Sequence, residues 1–112
     1  MVLNREDDQG GTCDELATAA LLGALASPHR LMIVRLLADR ELDVGELAAS
    51  LGTSVANTSH HLSRLRHAGL VISRRDGTRI PNQLSSHEVT ALVRAACNVA
   101  HNQQGHDRHD HG

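Results

Sequence analysis

The stretch that decides the fold reads Thr53-Ser54-Val55-Ala56-Asn57-Thr58-Ser59-His60-His61-Leu62-Ser63-Arg64-Leu65-Arg66-His67-Ala68-Gly69-Leu70-Val71-Ile72-Ser73-Arg74-Arg75-Asp76-Gly77-Thr78-Arg79. Thr53 or Ser54 supplies a hydroxyl oxygen that can accept from the free N–H groups at a helix start. From there to His67, Val55, Leu62 and Leu65 form a buried stripe at helical spacing, bordered by Thr58 or Ser59. Gly69 stops the helix. Leu70–Arg75 then reads as a strand, Asp76-Gly77 as a tight turn and Thr78-Arg79-Ile80 as a returning strand. Pro81 has no N–H to give a ladder, so it ends that second strand or confines it to an edge.

Upstream, Asp43-Val44-Gly45-Glu46 fits a capping box that opens a short helix bearing Leu47, Ala48 and Leu51, which Gly52 ends. Two helices joined through a glycine-containing turn make a helix-turn-helix. Before it, Ser27-Pro28 stops one helix and starts another, with Ser as cap and Pro in the first helical position. The second of these carries Leu31, Ile33, Val34, Leu36 and Leu37, too broad an apolar face for a free surface. The first is predicted to start from a Thr12 cap, with Asp14 and Glu15 favourably placed in its first turn and Leu16, Ala20, Leu21 and Leu25 along it. A last helix is predicted from about Ser86 to His101, with Val89, Leu92, Val93, Ala96 and Val99 on one side.

The expected fold is therefore mainly α (α+β), a winged helix-turn-helix in ααααββα order. Its N- and C-terminal helices are expected to form a dimer interface, since a small Ala-rich helical domain with no Phe, Trp or Tyr has limited surface to bury alone. Three regions are expected: a disordered N-terminal arm at 1–11, the domain at 12–101, and a flexible His-rich tail at 102–112. No apolar run reaches membrane-spanning length and the N-terminus is polar and acidic, which points to a soluble cytoplasmic protein. Cys13 and Cys97 lie far apart, outside any Cys-x-x-Cys pattern, and read as reduced, largely buried thiols.

The net charge is −2, yet its distribution is uneven. Nine acids and four arginines fall in residues 1–53, whereas residues 54–83 hold Arg64, Arg66, Arg74, Arg75 and Arg79 against the single acid Asp76. Screening limits each charge to about 10 Å at moderate salt, so the local balance decides whether phosphate is attracted. All 11 basic residues are arginine, which suits bidentate contact with phosphates and base edges. With Ser54–His67 as recognition helix, the predicted groove-facing residues are Ser54, Asn57, Thr58 and His61, with Arg64 one turn on. Hydroxyl and amide side chains there can meet phosphates or bases, and Asn can pair with adenine. The hairpin would bring Arg74, Arg75 and Arg79 to a neighbouring minor groove or backbone. No motif pairs a nucleophile with a base and no phosphate loop is present, so an enzyme is not expected.

Residues 24–83 resemble the ArsR/SmtB family of metal-responsive repressors. Ala26-Ser27-Pro28-His29-Arg30-Leu31 is similar to its A-x-P-x-R opening. Ser59-His60-His61-Leu62 followed by Leu65-Arg66-His67-Ala68-Gly69-Leu70-Val71 is similar to its central motif, and Arg75-Asp76-Gly77-Thr78 to its wing. The resemblance implies a dimer that binds a double-stranded palindromic DNA operator, with Ser59 and His60 as DNA-contacting positions. Val55 and Ala56 stand where the family is often polar, and Pro81-Asn82 where it often has an aromatic residue.

The resemblance also bears on metal. One family site uses Cys-x-Cys before the turn; Asp43 and Gly45 occupy those positions, so that thiolate site is absent. A second uses Asp-x-His and, after ten residues, His-x-x-Glu or His-x-x-His in the last helix; those positions here read Ser85, His87, Asn98 and His101, so two of the four ligands remain and two are lost. His87 and His101 are about 21 Å apart along one helix and cannot share an ion within one chain. In an antiparallel pair across a two-fold axis, His87 of one subunit approaches His101 of the other. Nine histidines are several times the usual number, and His106, His109 and His111 of the tail would add donors, as would Asp107 or Asp110. Imidazole and carboxylate without thiolate suit a borderline ion such as Ni²⁺, Co²⁺ or Zn²⁺ better than Cu⁺. Helix histidines with a His-bearing tail resemble the nickel- and cobalt-sensing branch of the family, which implies Ni²⁺, with Co²⁺ and Zn²⁺ as alternatives. Two other functions fit the same residues: a winged-helix regulator that depends on a regulatory partner protein to sense metal, and a small metal-carrying protein.

Overall fold

Side-chain caps set the starts of the first four helices. The computed structural model describes residues 13–111, and their side chains through residue 104. Helix α1 (Glu15–Leu25) starts from Asp14, whose Oδ1 accepts from the N–H groups of Leu16 and Ala17 at 3.0 and 3.2 Å. The cap expected at Thr12 is thus corrected to Asp14, a carboxylate that also gains from the positive end of the helix. Thr12 and the arm expected at 1–11 lie outside the described residues.

Helix α2 (Pro28–Leu37) has the predicted Ser27 cap, with Ser27 Oγ accepting from Arg30 N at 3.3 Å. Helix α3 (Val44–Leu51) begins with the predicted capping box. Glu46 N donates to Asp43 Oδ1 at 2.8 Å, and Asp43 N donates to Glu46 Oε1 at 2.9 Å. It ends at Gly52, whose φ of 70° is the left-handed conformation that glycine adopts without strain. Helix α4 (Val55–His67) is capped by Ser54, which accepts from Asn57 N at 3.0 Å.

Strands β1 (Val71–Ser73) and β2 (Asn82–Leu84) pair antiparallel, with Val71 opposite Leu84 and Ser73 opposite Asn82. The predicted Asp76-Gly77 turn is present: Asp76 and Arg79 exchange backbone hydrogen bonds of 2.9 and 3.0 Å around Gly77, at φ 66°. The returning strand, however, lies after Pro81 and not at Thr78–Ile80, which form the exposed tip. The reason is non-local. Asn82 pairs with Leu42 as well, through backbone bonds of 2.9 and 3.2 Å, so β2 is held from both sides. Pro81 loses nothing, because only its carbonyl is used, by Arg74 N at 3.2 Å.

The last helix, α5 (His87–His111), starts one residue after Ser86 and runs past His101 through the stretch expected as a flexible tail. That stretch contains no proline, and Gln103 and Gln104 are good helix formers. Nothing is described for the side chains of residues 105–112.

The core is aliphatic throughout. Leu62 and Leu65 of α4 meet Ile33, Val34 and Leu37 of α2, Leu47 of α3, and Leu25 of α1. Leu42, Leu70 and Val71 close it on the hairpin side, and Val89 and Val93 on the α5 side. Each fully buried Leu or Ile contributes about 1.5–3 kcal/mol. The apolar face predicted for α5 is divided: Val89 and Val93 enter this core, while Leu92 and Val99 are exposed. On α1, Leu16 is 85% exposed and Leu22 is exposed with it. Among the described residues no single helix is long and apolar enough to cross a membrane.

Candidate nucleic-acid interface

Helix α4 projects one polar face from the domain. Ser54, Asn57, Ser59, His60 and Arg64 are all exposed on it. Asn57 Nδ2 donates to Thr53 Oγ1 at 3.0 Å, which steadies the amide at the helix start. Thr58 does not belong to this face. It is 0% exposed, and its hydroxyl donates to Ser54 O at 2.9 Å, so a polar residue fills a core position by bonding back to the preceding turn. The expectation that Thr58 contacts DNA is corrected on that ground.

His61 is half-buried at the edge of the same face. Its Nδ1 lies 3.2 Å from Nη1 of Arg30, a residue only 9% exposed, whose Nε donates to the carbonyl of Ala24. His29 packs edge-on against the ring, with centroids 5.4 Å apart. Burial first, then Arg30, then His29, His60 and Arg64, hold the His61 imidazole below its usual value of 6.5. Arg30 was legible only as part of a motif, since nothing local predicts a buried arginine.

The wing arginines differ from one another. Arg74 is paired with Glu41 at 2.8 Å, and Arg79 with Glu46 at 3.1 Å and Asp43 at 3.6 Å. Arg75 is exposed and makes no ion pair among the described residues. A polar chain fixes the wing relative to α4. Arg66 Nη1 donates to Ser73 Oγ at 3.2 Å, Ser73 donates to Asn82 Oδ1 at 2.6 Å, and Asn82 Nδ2 donates to Leu42 O at 3.1 Å. Glu41, Glu46, Arg66 and Asn82 were not foreseen as parts of the site, because their partners are distant in sequence or assigned to other elements.

The helix histidines are placed differently. His87 and His101 are exposed, on one side of α5, and about half a turn around the helix from Leu92 and Val99. Among the described residues no three His, Cys, Asp or Glu side chains gather closely enough to hold an ion. Both cysteines are exposed, contrary to the buried thiols expected; Cys97 lines a groove between α2 and α5 beside Arg35 and Arg94. His106, His109 and His111 have side chains outside the described residues.

Comparison with known proteins agrees with this geometry. Residues 27–73 match the model of the bacterial regulatory protein arsR family. The HTH-type transcriptional regulator KmtR of Mycobacterium tuberculosis is 43% identical over 86 residues, which are 76% of this chain and 66% of that protein's length. The crystal structure of Mycobacterium tuberculosis Rv0081 superposes with a TM-score of 0.76 at 33% identity, covering 84% of this chain and 94% of that one. The homodimeric winged helix-turn-helix DNA-binding domain of Mb0332 from Mycobacterium bovis gives 0.72 at 30% identity, covering 89% and 88%. The chain thus belongs to the arsR family of bacterial regulatory proteins, as a winged-helix transcriptional regulator and not an enzyme.

Proposed function

We propose that this chain acts as a homodimer on a palindromic DNA operator in the cytoplasm, and that a transition metal ion changes its affinity for that DNA. The observation that carries the dimer is the unpartnered apolar surface of α1 and α5, with Leu16, Leu22, Leu92 and Val99 all exposed in the single chain. A water-soluble monomer gains nothing from such a surface, and a second copy covers it by symmetry. Ser54, Asn57, Ser59, His60, His61 and Arg64 then face successive major grooves, with Arg74, Arg75 and Arg79 of each wing beside the backbone. The solved homodimer of the Mb0332 domain supports this arrangement.

The metal reading rests on the family resemblance and on the exposure of His87 and His101. A single chain offers one imidazole at each end of a four-turn span, so the donor set is completed only between chains. The histidine side of α5 against the partner's α5, with the Leu92 side against the partner's α1, satisfies both requirements. His106, His109 and His111 add nitrogen donors beyond His101. An imidazole set of this size suits Ni²⁺, then Co²⁺ or Zn²⁺. The ion acts by binding one relative orientation of the subunits better than another.

Calorimetric titration with Ni²⁺, Co²⁺ and Zn²⁺ tests this on the full chain and on one truncated after Gln104. Tight binding of one ion per subunit that survives truncation supports the interfacial site. Binding that vanishes with the truncated residues leaves a DNA-binding regulator without its own helix sensor.

A further inference from the structure

Arg30 joins three helices. From the first turn of α2 its Nε donates to Ala24 O at the end of α1, and its Nη1 lies 3.2 Å from Nδ1 of His61 on α4. A guanidinium has only N–H donors and no lone pair, and it stays protonated in proteins. The contact is therefore a hydrogen bond only when Nδ1 of His61 carries the lone pair. The ring proton must then reside on Nε2. We propose that Arg30 is a positioning residue for DNA recognition, fixing His61 as a neutral imidazole whose Nε2–H is presented to an acceptor on DNA.

This rests on α4 being the recognition helix, and it adds what one of its residues offers. An Nε2–H ring is a single directional donor at its free nitrogen. It fits a phosphate oxygen or a purine N7, and cannot accept from an amino group of adenine or cytosine. The groups facing His61 all act against a second proton. Arg30 meets it from α2, His29 crosses its ring from α2 with centroids 5.4 Å apart, and His60 on α4 stands at 6.3 Å. Arg64 adds a cation from the next turn of α4, and no acid is among the groups acting on the ring. Positive charge for phosphate is supplied elsewhere, by Arg64 and the wing. His61 contributes geometry instead of charge.

The test combines the ring state with DNA binding by the full chain. Nitrogen-15 NMR of the imidazoles at neutral pH reads the tautomer directly. Fluorescence anisotropy reads affinity for a duplex selected in vitro on the wild-type protein. The expected result is an Nε2–H tautomer for His61 that persists on acidification below 6.5. His61→Ala weakens binding about tenfold, the scale of one directed hydrogen bond with its desolvation penalty. Arg30→Met weakens it similarly alone but adds nothing to His61→Ala, and Arg30→Lys, which keeps a donor, restores most of the affinity. An Nδ1–H ring or an imidazolium at neutral pH overturns the inference, as does Arg30→Met acting equally in both backgrounds. The wild-type ring state decides even where Arg30→Met fails to fold. A wild-type chain that retains no duplex overturns the recognition-helix reading and the inference with it.

Discussion

One nitrogen of Arg74, Nη2, donates to both carboxylate oxygens of Glu41, at 2.8 and 3.0 Å, tying the base of the wing to the segment after α2. The wing is therefore less basic than its composition suggests, because Glu41 neutralises Arg74 while Glu46 and Asp43 neutralise Arg79. A phosphate must compete with these acids. Arg74 is about half exposed, so water screens the pair and little stability depends on it. Glu41→Gln is expected to leave the melting temperature nearly unchanged and to tighten DNA binding about threefold at low salt.

Arg75 is the wing arginine without such a partner among the described residues. A contact between Arg75 and a DNA phosphate would release a counterion and cost no internal ion pair. Arg75→Ala is expected to weaken binding to specific and non-specific duplexes alike. The slope of log affinity against log salt should fall by about one, measured by anisotropy across a salt series.

Asn82 is the residue on which the hairpin depends most. Its amide spans Leu42 O and Ser73 Oγ while its backbone pairs with Leu42, and it is only 3% exposed. Asn82→Ala removes two hydrogen bonds, the side-chain donor to the buried Leu42 O and the acceptor of the Ser73 hydroxyl, at a cost of about 2 kcal/mol in chemical denaturation. Asn82→Asp should cost at least as much, because it keeps the acceptor for Ser73 but places a charge against Leu42 O.

How far the sequence predicts this molecule follows from the range of each interaction. The Ser27-Pro28 start, the Asp43–Glu46 box and the Ser54 cap act within three residues, and the residues that make them can be read directly. The returning strand was misplaced because β2 is selected by Leu42, some 40 positions away. The pairing of Arg74 with Glu41 and of Arg79 with Glu46 spans 33 residues, and Arg30 with His61 spans 31. Thr58 was misread for a different reason. Its type is common on DNA-facing helices, and only its back-bond to Ser54 O makes it acceptable in the core. The family motif captured which residues recur together, without saying which of them touch.

His61 makes stability depend on pH. The folded chain holds its ring below the 6.5 at which an unfolded histidine titrates, by burial and by Arg30. As pH falls through 6.5 the unfolded chain binds a proton that the folded chain does not. The contribution is thus complete above that pH and is lost on acidification, until the folded ring protonates too. The urea midpoints of wild type and His61→Gln, compared at about pH 7.5 and pH 5.5, should show a smaller acid loss in the variant.

The proposed apolar dimer contact and the proposed metal site separate experimentally, because Leu92 and Val99 lie on a different side of α5 from His87 and His101. Leu92→Glu with Val99→Glu places charge in the apolar stripe without touching either histidine. It should yield a monomer by sedimentation that still folds, since Val89 and Val93 keep α5 on the core. His87→Ala with His101→Ala should leave the dimer and its metal-free DNA binding intact while abolishing the response to Ni²⁺. In the proposed dimer each interfacial site would take one histidine from each chain, so either single substitution would damage both sites and should cost nearly as much as the pair. A metal response unchanged in the double variant moves sensing away from the helix histidines, to His106, His109 and His111. A response lost in the glutamate variant as well shows that the ion reads the dimer and not the single chain.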